Sequence, residues 1–214
     1  MPEILYADAA VAVVVKPAGV LSQGDAENAM PVLLQKQLGG TIFPVHRLDQ
    51  PTGGVMVYAR TQDAAAKLSA QMQSEAFGKE YLAVLDGVPE PAEGELHDLL
   101  FFDRQKGKSY TVRRKRAGVK DARLAYRVLA QAEGLTLVRV RLYTGRTHQI
   151  RVQFSSRGWP LTGDGKYGSR NNRCAPALWS AEVHFAHPVT GETLTFRSQP
   201  PEAYPWTLFL PDSL

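Results

Sequence analysis

Apolar residues run without a break through residues 9–15 and again through residues 55–59. Runs of this length without alternation belong to strands buried on both faces. Between them, "KPAGVLSQGD" reads as a loop, and Asn28 is placed to cap a short helix through Leu38, with Pro31 in its first turn. Gly53 and Gly54 fit a tight turn ahead of the second run. "TQDAAAKLSAQMQSEAF" has helical spacing through Ala65, Leu68, Met72 and Ala76, with Gly78 as its stop. "KEYLAVLDG" alternates as a strand and ends at Gly87 and Pro89. From Glu95 to Leu142 the period is two, in "SYTVRRK", "ARLAYRVLAQ" and "LTLVRVRLY", which predicts antiparallel hairpins. "THQIRVQFSSRG" returns to helical spacing with Gly158 at its end, and "LWSAEVHFAHPVTGETLTFRS" is a hairpin turning at "PVTGE". The pattern predicts an α+β fold: a mixed, mainly antiparallel central β-sheet with flanking helices. Strand order is not readable from it.

Length and composition narrow this further. The 214 residues make one large domain or two small ones, and no linker separates two halves. No stretch approaches the roughly 20 apolar residues that span a bilayer, and residues 9–15 lack the basic segment of a signal peptide. Cys174 is the single cysteine, which excludes an intrachain disulfide and a Cys-based zinc site and points to a reducing cytoplasm. The five histidines are scattered without ligand spacing, so no metal is expected. The net charge of +4 leans towards a polyanion. Between Arg104 and Arg127 ten basic residues face one acid, Asp121. Its densest run, Arg113, Arg114, Lys115 and Arg116, reads equally as a nucleic-acid contact or a solvated basic hairpin.

Three clusters carry chemistry. In "VHRLDQPTGG", His46, Arg47 and Asp49 stand at the mouth of a turn feeding into the core, which suits a rigidly held site or an ordinary capped surface turn. In "LYTGRTHQIRVQF", a strand ends at Thr144-Gly145, and Arg146, Thr147, His148, Gln149 and Arg151 open a helix. Such a turn suits an anion, and equally an amphipathic helix with outward arginines. In "GKEYLAVLDG", Tyr81 lies on one face of a strand, a position that serves packing or chemistry.

Taken in order, these segments resemble the RluA-type family of pseudouridine synthases. "VVVKPAGVLS" is similar to that family's opening strand and Lys-Pro-x-Gly loop, and "HRLDQPTGG" to its His-Arg-Leu-Asp signature. "KEYLAVLDG" resembles its tyrosine motif and "TGRTHQIRVQ" its arginine motif; "PLTGDGKYG" and "FAHPVTGETLTF" match its closing segments. Six matches in one order cover nearly the whole chain. Two departures stand out: Gln50-Pro51 replaces the commoner Lys-Asp, and Thr52-Gly53-Gly54 replaces Thr-Ser-Gly. With the first strand near Ala9 there is no room for the N-terminal S4 domain of many relatives, so a single catalytic domain over residues 1–214 is expected.

The resemblance implies isomerisation of uridine in RNA: N1–C1′ breaks, the uracil rotates, and C5 bonds to C1′. No cofactor is implied, and the chain has neither a GxGxxG nor a P-loop signature. Asp49 is implied as the catalytic carboxylate, acting on sugar or base or removing the C2′ proton. Arg151 is implied as its bidentate partner and Tyr81 as the flat face against the flipped base. Arg47 would fill the vacated stack, His46 and Thr52 would brace the loop, and Arg146, His148 and Gln149 would meet the RNA. The implied partner is ribosomal or transfer RNA, not DNA or a membrane, and a monomer is the simplest state. A catalytically silent RNA-binding protein of the same fold is the alternative; three retained reacting groups argue against it.

Overall fold

The computed structural model describes residues 1–74 and 76–209. They form strands β1 (Glu3–Ala7), β2 (Val11–Lys16), β3 (Phe43–Pro44), β4 (Gly53–Ala59), β5 (Gly78–Asp86), β6 (Glu93–Asp103), β7 (Lys108–Val112), β8 (Val119–Ala132), β9 (Leu135–Leu142), β10 (Leu178–Ala186) and β11 (Thr193–Arg197). Helices are α1 (Met30–Leu38), α2 (Gln62–Gln71) and α3 (Gln149–Ser155), with short 3₁₀ turns at Gly165–Tyr167 and Trp206–Leu208. The pairing is mainly antiparallel, with β4 and β10 parallel, so the expected α+β class holds. The described chain divides into two compact units: Met1–Glu80 with Trp179–Pro200, and Tyr81–Leu178 with residues 201–209.

In the first unit the strand order is β1-β2-β4-β10, with β11 on β10 and β3 on β4. The two apolar runs are neighbours in register, Val13 opposite Val57 and Val15 opposite Val55. Val11, Val13, Val55 and Val57 on one face pack with Ala64 and Leu68 of α2 and with Val183 and Phe185 of β10. β1 falls outside the predicted elements; it is a half-buried edge strand on β2. α1 is capped at Ala29, not Asn28: Ala29 is buried and bridges Leu21, so the helix starts two residues after Asn28. α2 is shorter than its spacing predicts. Thr61 Oγ1 caps it by accepting from the Ala64 amide at 3.1 Å. It ends at Gln71, whose side-chain amide exchanges two hydrogen bonds with the backbone of Ala186. Phe77, just beyond it, enters the core. Glu75, within the predicted helix, lies outside the described residues. Gly78 therefore opens β5 instead of stopping a helix, and a Cβ there would collide with the His184 ring.

In the second unit the order is β5-β9-β8-β6-β7. β6 pairs with β8 from Glu93 opposite Arg127 to Phe101 opposite Val119, and β8 folds back onto β9. Because β6 sits between β7 and β8, residues 113–118 are a crossover over β6 near Phe101 and not the tip of a hairpin. α3 packs on β6 and β7.

Candidate active site

Gly53 and Gly54 lie inside β4; the turn is one residue earlier, closed by the Thr52 amide donating to the Asp49 carbonyl at 3.0 Å. The glycines are required by packing. A Cβ on Gly53 would collide with the Trp179 ring, and one on Gly54, at φ 115°, with the Ser180 backbone. The departure from Thr-Ser-Gly thus makes space for Trp179.

Asp49 is half-buried, and the loop that carries it is held from the segment after β2. Ser22 Oγ donates to the Leu48 carbonyl at 2.9 Å. The Gln50 carbonyl accepts from the Gly19 amide at 2.8 Å and from Lys16 Nζ at 3.1 Å. Three consecutive backbone carbonyls, at residues 48, 49 and 50, are therefore fixed. Lys16 closes the apolar run of β2 and is completely buried. Burial pushes its pKa down to about 8, while the Asp49 charge acts in the opposite direction. Its Nζ also donates to the carbonyls of Pro17 and Val20, at 2.9 and 2.7 Å. Three acceptors match the three protons of an ammonium and favour its charged form. A lysine ending a buried run before Pro-x-Gly was its signal in the sequence.

His46 is buried against Phe77, ring centroids 5.5 Å apart, and its Nε2 accepts from the Val57 amide at 3.0 Å. It therefore carries its proton on Nδ1. Burial, with Lys79 nearby, lowers its pKa to about 3. Below its ordinary value of 6.5 the unfolded chain takes up a proton that the folded state refuses, so stability falls with pH from there to about 3. His46→Gln, which keeps an acceptor, is expected to remove that slope. Urea unfolding should show the wild type losing about 1 kcal/mol more than the variant over the unit below roughly pH 6. Thr52 is buried too, and Arg47 is exposed on the same loop.

In the second unit, Tyr81 is a buried residue of β5. Arg151 is buried in α3 and held by Asp164: Nε to Oδ2 at 2.6 Å and Nη2 to Oδ1 at 2.8 Å. Asp164 was not anticipated. A carboxylate flanked by glycines in "TGDGKYG" was the signal for it; Gly163 takes φ 84°, and a Cβ there would lie 2.5 Å from two carbonyl oxygens. Asp164 thus fixes one edge of the guanidinium fork with two parallel bonds.

Gln149 is buried and ties the turn before α3. Its Oε1 accepts from Thr144 Oγ1 and the Arg146 amide, at 2.7 and 3.0 Å, and its Nε2 donates to the Arg123 carbonyl. Arg146 Nε donates to the Asp121 carbonyl at 2.8 Å. His148 takes φ 55°, a left-handed conformation, and its Nδ1 is 2.9 Å from Tyr167 Oη. Within the basic crossover, Lys115 pairs with Asp121 at 3.1 Å and Arg116 lies 4.9 Å from the Phe101 ring centroid. Arg113 and Arg114 are exposed. Among the described residues no group of three or more His, Cys, Asp or Glu could hold a metal ion, and no helix is long and apolar enough to cross a membrane.

Residues 10–156 match the model of the RNA pseudouridylate synthase family. The chain belongs to this family. A ribosomal large subunit pseudouridine synthase D from Zymomonas mobilis is 34% identical over 94% of this chain and 69% of its own length. A tRNA pseudouridine synthase C from Vibrio vulnificus is 31% identical, over 93% of this chain and 91% of its own. Among solved structures, human RNA Pseudouridylate Synthase Domain Containing 4 superposes with a TM-score of 0.76 at 26% identity, covering 93% of this chain and 88% of the human one. In this RNA pseudouridylate synthase, the held loop at Asp49 belongs to the first unit and the buried Arg151–Asp164 pair to the second.

Proposed function

We propose that this pseudouridine synthase acts on specific uridines of ribosomal or transfer RNA, as a single catalytic domain, monomeric and cytoplasmic, with Asp49 as its catalytic carboxylate. The observation that carries the assignment to Asp49 is the fixation of the carbonyls at residues 48, 49 and 50, which holds the loop of a half-buried carboxylate by its backbone. A catalytic group must be held within about half an ångström of its working position. An ordinary surface turn needs no such bracing.

In this reading Asp49 opens the reaction at the sugar or the base, and the N1–C1′ bond breaks. The uracil rotates and C5 bonds to C1′; the C5 proton leaves to solvent and N1 takes up a proton, so no electrons are gained or lost. Arg151, oriented by Asp164, is the cationic partner of the Asp49 carboxylate. Tyr81 lies against the base that has left its stack, a step that costs a few kcal/mol, and Arg47 fills the space behind it. Arg146 and His148 meet the RNA backbone, while Gln149, His46 and Thr52 act by holding the loops. The test is tritium release from RNA labelled at uridine C5, with pseudouridine mapping of total RNA from cells with and without the gene. Appearance of free uracil would replace isomerase by hydrolase, and RNA binding with no tritium release would leave a silent binder.

The basic crossover supplies part of the RNA grip. Replacing Arg113, Arg114, Lys115 and Arg116 with glutamine is expected to raise the RNA concentration for half-maximal rate several-fold, while the single-turnover rate at saturating RNA holds. Each lost phosphate contact should flatten the salt dependence of binding by about one unit. Because Lys115 and Arg116 have partners within the protein, Arg113 and Arg114 should account for most of the effect. Binding and salt slope equal to wild type would make the run a solvated loop.

A further inference from the structure

Asp164 and Tyr167 are three residues apart on a single 3₁₀ turn, Gly165–Tyr167 with Asp164 as its cap. Side chains at that separation in a 3₁₀ turn eclipse one another, so both reach the same neighbour. That neighbour is Arg151. Asp164 grips one edge of its guanidinium, and the Tyr167 ring lies with its centroid 5.0 Å from Arg151 Cζ. Between them they restrict both the in-plane direction and the tilt of the fork.

The ring is itself locked. Tyr167 Oη accepts from the Ser109 amide at 2.8 Å and is bonded to His148 Nδ1 at 2.9 Å. Ser155 Oγ donates to the Tyr167 carbonyl, and Ser109 Oγ to that of Thr147, each at 2.5 Å. Lys108 Nζ stands 5.0 Å from the same ring centroid. Val152 packs beside it with Leu100 and Ala122. One side chain thus joins β7, the turn before α3 and the α3 residue that carries the arginine motif's inner cation. Core packing alone requires neither a hydroxyl satisfied twice nor a ring against a guanidinium.

We infer that Tyr167 is a positioning residue for the isomerisation, its ring holding the Arg151 guanidinium in its working orientation. The inference rests on the reading of Arg151 as the partner of Asp49. Tyr167→Leu in the full chain is expected to lower the single-turnover rate at saturating RNA at least tenfold while RNA affinity changes less than threefold. Tyr167→Phe keeps the ring and should recover most of the lost rate. A separate readout follows the orientation directly: the Arg151 Nε–H signal, slowly exchanging because Asp164 holds it, should stay sharp in Tyr167→Phe and broaden in Tyr167→Leu. Should Tyr167→Leu fail to fold, Tyr167→Met, which fills the space without a ring, takes its place in both measurements. A wild-type rate and a sharp Arg151 signal in the folded ringless variant overturn the inference. So does a parallel fall in rate and affinity that Tyr167→Phe shares. Absence of tritium release from the wild type would instead remove the functional reading, and the Arg151 signal would still decide the positioning.

Discussion

Asp49→Asn is expected to give a folded protein that binds RNA and releases no tritium from it. The substitution preserves shape and removes both the charge and the nucleophile. The turn persists, because the bonds that build it run to the backbone carbonyls of Leu48, Asp49 and Gln50. The unfolding free energy should therefore stay within about 0.5 kcal/mol of wild type. The isomerisation has no second carboxylate assigned to it, so no partial rate is expected. Tritium release at even a hundredth of the wild-type rate, in variant protein shown by mass to be free of material deamidated back to aspartate, would remove Asp49 from the mechanism.

Arg151→Met should damage stability and rate together, for separable reasons. Arg151 and Asp164 are both nearly sealed from solvent, at 6% and 1% side-chain exposure. Removing one member of such a pair strands the other charge and costs about 3–5 kcal/mol. For a chain of this size that is roughly a 10 °C drop in Tm. If Arg151 serves Asp49 as proposed, the rate falls by orders of magnitude for a second reason, the loss of that carboxylate's cation. Replacing both members, Arg151→Met with Asp164→Leu, removes the stranded charge and should restore most of the stability with none of the rate. Activity returning with stability in the double variant would assign Arg151 to the fold alone.

The strands were legible wherever period or continuity was strong: the two valine-rich runs, and the alternation that folds β8 onto β9. The C-terminal end of α2 and the role of Gly78 were not. Gln71, the last helical residue, bonds to Ala186, and a Cβ at Gly78 would collide with the His184 ring. No local propensity encodes a partner more than a hundred residues away. The same holds for the polar constructions. Arg151 was visible as an arginine in a helical segment, but its fork is gripped by Asp164 from a later turn. Lys16 was visible as the end of a run, but its three acceptors come from two loops. Asp49, Tyr81 and Arg151 were named through family likeness, since spacing alone left each with an ordinary structural alternative.

The first unit is assembled from two stretches of chain, residues 1–80 and 179–200. β10 supplies Val183 and Phe185 to the core shared by β2, β4 and α2, and sets Trp179 and Ser180 opposite Gly53 and Gly54. Synthesis runs from the N-terminus, so the loop bearing Asp49 leaves the ribosome long before the strand that closes β4's other edge. Until about residue 186 has emerged, Gly53 and Gly54 lack the strand that pairs with them and the valine core lacks one wall. A nascent chain halted short of β10 therefore holds the sequence of its carboxylate loop without the seat for it. Modification of RNA by this chain becomes an event of the finished polypeptide.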